Sequence, residues 1–447
     1  MPESSDLPVV VIGAGPTGLA AAAHLRSRDL PVLVLEAGSG AGSAVREWEH
    51  VRLFSSWAEL VDPAARALLE PTGWAAPSPK RYPTGRDWVD SYLQPLADAL
   101  RESVRLDTRV VAVTRAGRDR LVSSGRETSA FTVHVETLAG RESLTARAVV
   151  DASGTWARPN PLGSDGFPAI GEAEHASRIS YRMPDLTDDA VAARYAGKHV
   201  VVAGSGASAK GVLIGLVALA KQHPGTRITW LVRRPSVTAT FAGSGQDELP
   251  ARGELGQLAQ AAVENGPVTT VNSFRTSAVS ADADGRLTLT SDRGAEVTGV
   301  DEVVVLTGFR PDLSFLSELR LDLDPVLESP RTLAPLIDPN EHSCGTVYPH
   351  GAAELAQPEP GFYPVGMKSY GRATSFLALT GFEQTRSVAA AIAGDHEAAA
   401  RVELVLPDTG VCGGAGTFED EAAADGGGCC GAPAAPQLLT LGGPAAR

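Results

Sequence analysis

Six residues, Gly13-Ala14-Gly15-Pro16-Thr17-Gly18, limit what this chain can fold into more than any other stretch. Before them runs the apolar segment Leu7 to Ile12; after them a small-residue stretch reads as a helix to about Arg28. Val32 to Leu35 follows as a second apolar run, closed by Glu36. Short apolar runs bounded by glycine read as buried strands, and the order strand, turn, helix, strand is a βαβ unit with parallel strands. Each glycine has a task. Gly13 permits the tight turn, Gly15 lets the backbone approach a pyrophosphate without a Cβ in the way, and Gly18 lets the helix lie close on the strand. The pyrophosphate then meets the positive helix N-terminus. Glu36 is placed to accept hydrogen bonds from both hydroxyls of an adenosine ribose, and its charge repels a 2′-phosphate. The expected nucleotide is FAD or NAD and not NADP; the position of the unit at the start of the chain favours FAD.

A second unit begins at Lys198. His199 to Ala203 reads as a strand, Gly204-Ser205-Gly206-Ala207-Ser208-Ala209 as the turn, and a helix to about His223 leads to a strand at Ile228 to Val232. Arg233-Arg234 closes this unit where Glu36 closed the first. Guanidinium groups bind a 2′-phosphate bidentately, so the second unit is expected to take NADPH, with Gly204, Gly206, Ser208, Arg233 and Arg234 as its residues. Two solvated arginines at a strand end are the plain alternative.

Length and charge narrow the class. A chain of 447 residues suggests two to three domains with ample core. With 39 basic against 53 acidic residues, a net charge of −14 and no long basic block, nucleic acid and anionic membrane are poor partners. No apolar run is long enough to span a bilayer and no secretory leader pattern opens the chain, so a cytoplasmic protein is expected. Only four cysteines occur, Cys344, Cys412, Cys429 and Cys430, with no CxxC among them; this is no disulfide scaffold.

The segments between the units carry further candidates. Arg46 to Trp57, rich in aromatic and arginine side chains, reads as a covering loop, with Trp48 and Arg52 toward the cofactor. A helix is expected after Thr84, and strands at Val104 to Val113, Phe131 to Thr137 and Leu144 to Val150 are expected to form a β-meander. Ala148 to Thr155 is a buried strand breaking into a small-residue turn, where Ser153 and Gly154 can pass close to a dinucleotide, or simply turn. Val303 to Pro311 repeats that pattern with Gly308 and Phe309. Pro235 to Gly253 is a candidate mobile loop, and strands are expected at Val268 to Phe274, Arg286 to Thr290 and Val303 to Leu306. Lys368, Tyr370 and Arg372 precede a helix from about Thr374 to Ala393, whose positive end can face the electron-rich edge of a flavin. They are the candidates for a cation or donor near the reacting atoms; binding of NADPH phosphate or of a surface carboxylate is the alternative for the two cations. From Leu406 on, glycine, alanine and acidic residues dominate and a flexible tail is expected. Its cysteines, Cys412, Cys429 and Cys430, are soft ligands that can converge on a trivalent metalloid; a regulatory disulfide or incidental thiols are the alternatives.

These readings give an α/β chain of two Rossmann-like dinucleotide-binding domains, the NADPH domain inserted in the FAD domain. The expected limits are 1–165 and 301–400 for the FAD domain, 166–300 for the NADPH domain and 401–447 for the tail. The two differently closed units, Gly204 to Ala209, Trp48 to Trp57 and Thr307-Gly308-Phe309-Arg310-Pro311 together resemble the class B flavin monooxygenases. Within that group the chain is most similar to flavoproteins associated with arsenic-resistance operons of actinobacteria (ArsO-type). The group's FxGxxxHxxx-aromatic fingerprint survives as Gly171 and His175, with Ala169 and Ile179 at the two aromatic positions and Tyr181 nearby. The resemblance implies FAD and NADPH as cofactors, with a small-molecule substrate and O2 as partners. Hydride passes from NADPH to the flavin, O2 adds at C4a, and a soft nucleophile such as sulfur, nitrogen or trivalent arsenic takes one oxygen. A flavin-dependent reductase acting on thiols and disulfides, and a redox-sensing flavoprotein, are the alternatives.

Overall fold

The computed structural model describes residues 6–241, 250–339, 350–373 and 376–404. The chain opens with β1 (Val9–Ile12), β2 (Val32–Leu35) and β3 (Val104–Arg105), runs through β4 (Thr108–Arg115), β5 (Phe131–Thr137) and β6 (Gly140–Ala146), and returns as β7 (Ala148–Asp151). Then come β8 (Ile179–Ser180), β9 (His199–Ala203), β10 (Arg227–Leu231), β11 (Val268–Val271), β12 (Thr276–Ala281), β13 (Leu287–Ser291), β14 (Glu296–Val300) and β15 (Glu302–Val305), and finally β16 (Phe362–Pro364).

Two parallel sheets result. The first has the order β16-β7-β1-β2-β3, the second β11-β10-β9-β15-β8. Every strand of the second sheet falls between β7 and β16 in the chain, so the second dinucleotide-type fold is inserted in the first. In each sheet the strand before the glycine loop, β1 or β9, has its next strand on one side and a returning strand on the other. Ligands of such sheets sit outside the carboxyl ends of the strands at this switch point.

Alternation along the strands explains the layers. Val9 and Val11 join the core with the helix Pro16–Arg26, while Val10 and Ile12 face Phe131, Val133 and Val135 of the antiparallel meander β4-β5-β6. The second sheet repeats the plan: Val200 and Val202 pack with the helix Ala207–Gln222, and Val201 and Ala203 with the meander β12-β13-β14. Neighbouring residues of a strand point to opposite faces, so a strand apolar at every position is buried on both. Burial of each such valine is worth about 1.5–3 kcal/mol. The helix Pro16–Arg26 is itself covered by the late helix Ala378–Ile392, which explains why it is apolar nearly all round.

Several elements differ from the sequence expectation. The run Val104 to Val113 divides at Asp107, which lies in the left-handed region at φ 49, so that β3 joins the first sheet and β4 the meander. Leu144 to Val150 likewise divides between β6 and β7. The expected helix after Thr84 is interrupted: Gly85–Trp88 passes into a wide turn, Val89–Leu93, before Gln94–Ala99. Pro95 is the cause, since it has no N–H for the carbonyl of Ser91; the Trp74 indole donates to that carbonyl instead, at 2.7 Å. Strands β12 and β14 were absent from the sequence reading altogether. In the candidate mobile loop the structure has short helix Thr238–Phe241 and the start of the helix Pro250–Asn265; residues 242–249 lie outside the described residues.

Candidate functional site

The first glycine loop is built as its residues require. Gly13 has φ 98, and a Cβ on it would stand 2.9 Å from the Ala152 carbonyl oxygen; one on Gly18 would stand 1.9 Å from the Gly13 oxygen. Only glycine fits either place. A Cβ on Gly15, by contrast, would meet no protein atom within 4 Å, as a backbone that must be approached by a ligand demands. Pro16 begins the helix, where its missing N–H costs nothing. At the end of β2 the Glu36 carboxylate accepts from the Ala14 amide at 2.7 Å and from the Gly38 amide at 2.8 Å. Each oxygen keeps lone-pair capacity for a further donor such as a ribose hydroxyl. Beyond β7, Gly154 has φ 67 and nothing within 4 Å of its Cβ position, and Ser153 is exposed beside it.

The covering loop is laced to the segment 79–86 by backbone hydrogen bonds, among them Leu53 N to Pro83 O and Gly85 N to Val51 O. Trp48 packs on Gly85, where a Cβ would come within 3.0 Å of its ring, and Arg52 donates to the Tyr82 carbonyl at 2.6 Å. Trp48 and Arg52 are thus both held on the 82–85 turn.

The second loop copies the first. Gly204 has φ 125, and its Cβ position is 2.3 Å from the Leu306 carbonyl, just past β15 as Ala152 is just past β7; Gly206, like Gly15, has open space on that side. Ser208 is exposed on the first turn of the helix Ala207–Gln222. Arg233 and Arg234 follow β10. Backbone bonds from Phe274 N to Val232 O and from Ser273 N to Arg234 O lay the next segment alongside them, which brings in Arg275, a residue the sequence reading missed. Burial depresses the basicity of Arg233, and the like charges of Arg275 and Arg234 add to it. A cluster of cations that work against one another suits a multiply charged anion.

The two crossings between the sheets run antiparallel and are bonded together. Asn160 N donates to Gly308 O and Arg310 N to Arg158 O, while the Asn160 side chain donates to Thr307 O. Gly308 has φ 95, and Phe309 stacks on Trp156 of the other crossing at 4.7 Å. The Gly171 to His175 remnant is a turn organised by Glu172, another residue missed from sequence. This buried carboxylate accepts from the amides of Leu162, Gly163 and Ala169 and from the Tyr181 hydroxyl.

Lys368, Tyr370 and Arg372 are not brought together. Lys368 is buried, 3.3 Å from the Asp151 carboxylate, and donates to Ser153 Oγ at 3.1 Å and to the Asp312 carbonyl. Tyr370 is fully buried against Phe376 and His350, and burial pushes its hydroxyl well above the usual range. Arg372 pairs with Glu328 through two nitrogens, at 2.8 and 3.2 Å, on the surface. All four cysteines, including Cys412, Cys429 and Cys430, lie outside the described residues, as does the tail. Among the described residues no group of three or more His, Cys, Asp or Glu is placed to hold a metal, and no helix is long and apolar enough to cross a membrane.

Two parallel sheets, each with its own glycine loop, the one inserted in the other, define a two-dinucleotide-fold oxidoreductase architecture. The chain belongs to the pyridine nucleotide-disulphide oxidoreductase family, whose model matches residues 10–346. It is 32% identical over 210 residues to indole-3-pyruvate monooxygenase YUCCA1 of Oryza sativa subsp. japonica, a match covering 46% of this chain and 44% of that protein. A flavin-containing monooxygenase of Arabidopsis thaliana, FMO GS-OX-like 2, is 27% identical over 248 residues, 49% of this chain and 50% of the relative. The chain thus spans about half the length of the curated relatives it matches. Among solved structures, the bacillithiol disulfide reductase of Bacillus cereus superposes with a TM-score of 0.64 at 22% identity, covering 87% of this chain and 99% of that one.

Proposed function

We propose that this chain is an NADPH-dependent FAD monooxygenase that transfers one oxygen atom of O2 to a soft nucleophile: sulfur, nitrogen or trivalent arsenic. The observation that carries the reading is the contrast between the two loops. A carboxylate closes the first and three guanidinium groups the second, on otherwise matching backbones. The first suits an unphosphorylated ribose, as in FAD, and the second a 2′-phosphate, as in NADPH. The domain limits that go with this assignment are 1–165 with 301–400 for FAD and 166–300 for NADPH.

Bound FAD would supply the redox chemistry, taking hydride from NADPH and activating O2. The chain's own residues bind, orient and exclude water. Gly13, Gly15, Gly18 and Glu36 hold the adenosine and pyrophosphate part of FAD, and Ser153 and Gly154 pass beneath its far end. Gly204, Gly206, Ser208, Arg233 and Arg234, with Arg275, hold NADPH, while Gly308 and Phe309 line its return. Trp48 and Arg52 keep the covering loop on its turn. Of Lys368, Tyr370 and Arg372, Lys368 has the strongest support, because it fixes the hydroxyl of exposed Ser153 from below.

Oxygen transfer is favoured over thiol–disulfide exchange by the absence of a CxxC pair from the sequence and by the stretch shared with an indole-3-pyruvate monooxygenase. The similarity to arsenic-operon flavoproteins makes arsenite the first substrate to try. In this reading Cys412, Cys429 and Cys430 capture As(III) as thiolates. Truncation after Leu406 should then leave FAD content and NADPH oxidation intact and abolish tight arsenite binding; unchanged arsenite binding removes the role. The test of the whole reading is O2 uptake by the FAD-loaded protein with NADPH. Uptake that rises with arsenite, a thioether or an amine supports it, and anaerobic turnover of a disulfide in its place overturns it.

A further inference from the structure

Among the described residues, two adjacent side chains each hold a buried N–H without an acceptor: Trp156 at Nε1 and Arg182 at Nη1. The Arg182 guanidinium lies over the Trp156 ring at 4.2 Å and over Phe309 at 5.5 Å, and the two rings stack with 29° between their planes. Its other nitrogens are engaged, Nη2 with the Trp156 carbonyl at 3.0 Å and Nε with Glu47 at 3.1 Å. The side chain is therefore fixed in place while one donor is left over. A buried donor without an acceptor is unfavourable, and two side by side mark a place for an acceptor from a ligand.

Topology tells which ligand. In the first sheet β2, β1 and β7 are neighbours in that order, and in the second β10, β9 and β15. A dinucleotide whose adenosine ribose is at the end of β2 or β10, and whose pyrophosphate is over the glycine loop after β1 or β9, must extend its far end toward the turn after β7 or β15. Trp156 lies two residues past Gly154 on the first of these turns, and Phe309 follows Gly308 on the second. The stack joins the two turns toward which the far ends of the two dinucleotides would point. Glu47 already balances the charge of Arg182, so the ligand atom sought is a neutral acceptor and not an anion.

We infer that Trp156 and Arg182 donate to the carboxamide oxygen of the nicotinamide and so orient that ring toward the flavin. This rests on the second fold being the NADPH site. It extends that reading to the end of the cofactor remote from Arg233 and Arg234, and adds Arg182 as a cation at the meeting point.

Equilibrium binding of NADP+ and of adenosine 2′,5′-bisphosphate, which lacks the nicotinamide, to the FAD-loaded full chain tests it. Arg182→Met keeps an aliphatic stem over the rings and removes the donors; Trp156→Phe keeps the stack and removes one. Expected is about a tenfold loss of NADP+ affinity for the first and about threefold for the second, with bisphosphate affinity unchanged in both. Equal losses for the two ligands, or no loss of NADP+ affinity, overturn the inference. So does unchanged NADP+ affinity with a raised KM for the oxidised substrate, which would assign the donors to the substrate. Should Arg182→Met lose its FAD, Trp156→Phe decides alone by the same criterion. A wild-type chain that binds neither ligand overturns the NADPH reading itself, and is distinguished by the failure of the bisphosphate.

Discussion

The ammonium group of Lys368 stands 3.3 Å from the carboxylate of Asp151, and both side chains are buried from solvent. With its bonds to Ser153 and Asp312, Lys368 joins the turn after β7, the segment after β15 and the turn after β16. Lys368→Met would strand a carboxylate in the interior and should cost about 3–5 kcal/mol in denaturant unfolding. Adding Asp151→Asn should restore much of that. A single-variant loss below about 1 kcal/mol would mean that the pair is not what holds these turns.

Glu36 has two duties that can be separated. It accepts from Ala14 and Gly38, which sets the glycine loop, and it has capacity left for a ribose. Glu36→Gln should retain part of the FAD and Glu36→Arg little, because the second also brings a like-signed group to the loop amides. Protein purified with a full flavin complement from the arginine variant would exclude Glu36 as the ribose ligand.

Arg233→Ala combined with Arg234→Ala should weaken NADPH by about 1–3 kcal/mol more than NADH, as expected for lost charged hydrogen bonds. Arg275→Ala alone should move in the same direction by less. Equal losses for the two cofactors would refute a 2′-phosphate at this strand end.

Acid should weaken the second fold through His199. Its ring is buried between Thr229 Oγ1 at 2.8 Å and the Gly299 carbonyl at 3.1 Å, and burial holds its basicity below the ordinary histidine range. The unfolded chain takes up this proton first. The histidine's contribution is therefore complete above about pH 6.5 and is lost as pH falls below that value toward the lower folded pKa. Melting temperature measured from pH 8 to pH 5 should fall in this window, and His199→Gln should flatten the decline; an unchanged slope would put the acid sensitivity elsewhere.

The parts of this fold legible from sequence are those governed by neighbours in the chain. Apolar runs meeting Gly13 and Gly204 located both βαβ units, with helix ends displaced by a residue or two, as at Arg26 and Gln222. Of the meander β12-β13-β14 only the middle strand is read from sequence, although Asp282 to Gly285 and Ser291 to Gly294 carry turn signals for its neighbours. Arg275 and Glu172 were invisible for a different reason. Each acts through backbone that returns from elsewhere, Phe274 to Val232 in one case and Leu162 to Ala169 in the other. For Lys368 a signal did exist. Asp151 ends an otherwise apolar buried strand, and a carboxylate there requires a cation, yet only the tertiary fold shows that Lys368 is the one.

Oxygen isotope labelling tests the central claim most directly. The FAD-loaded protein is supplied with NADPH, 18O2 and a soft nucleophile, arsenite first, and the product is weighed by mass spectrometry. One 18O atom per product, with NADPH and O2 consumed together, is the predicted result. Product formed without label, or NADPH consumed as readily without oxygen when a disulfide is present, would contradict it and make the chain a reductase.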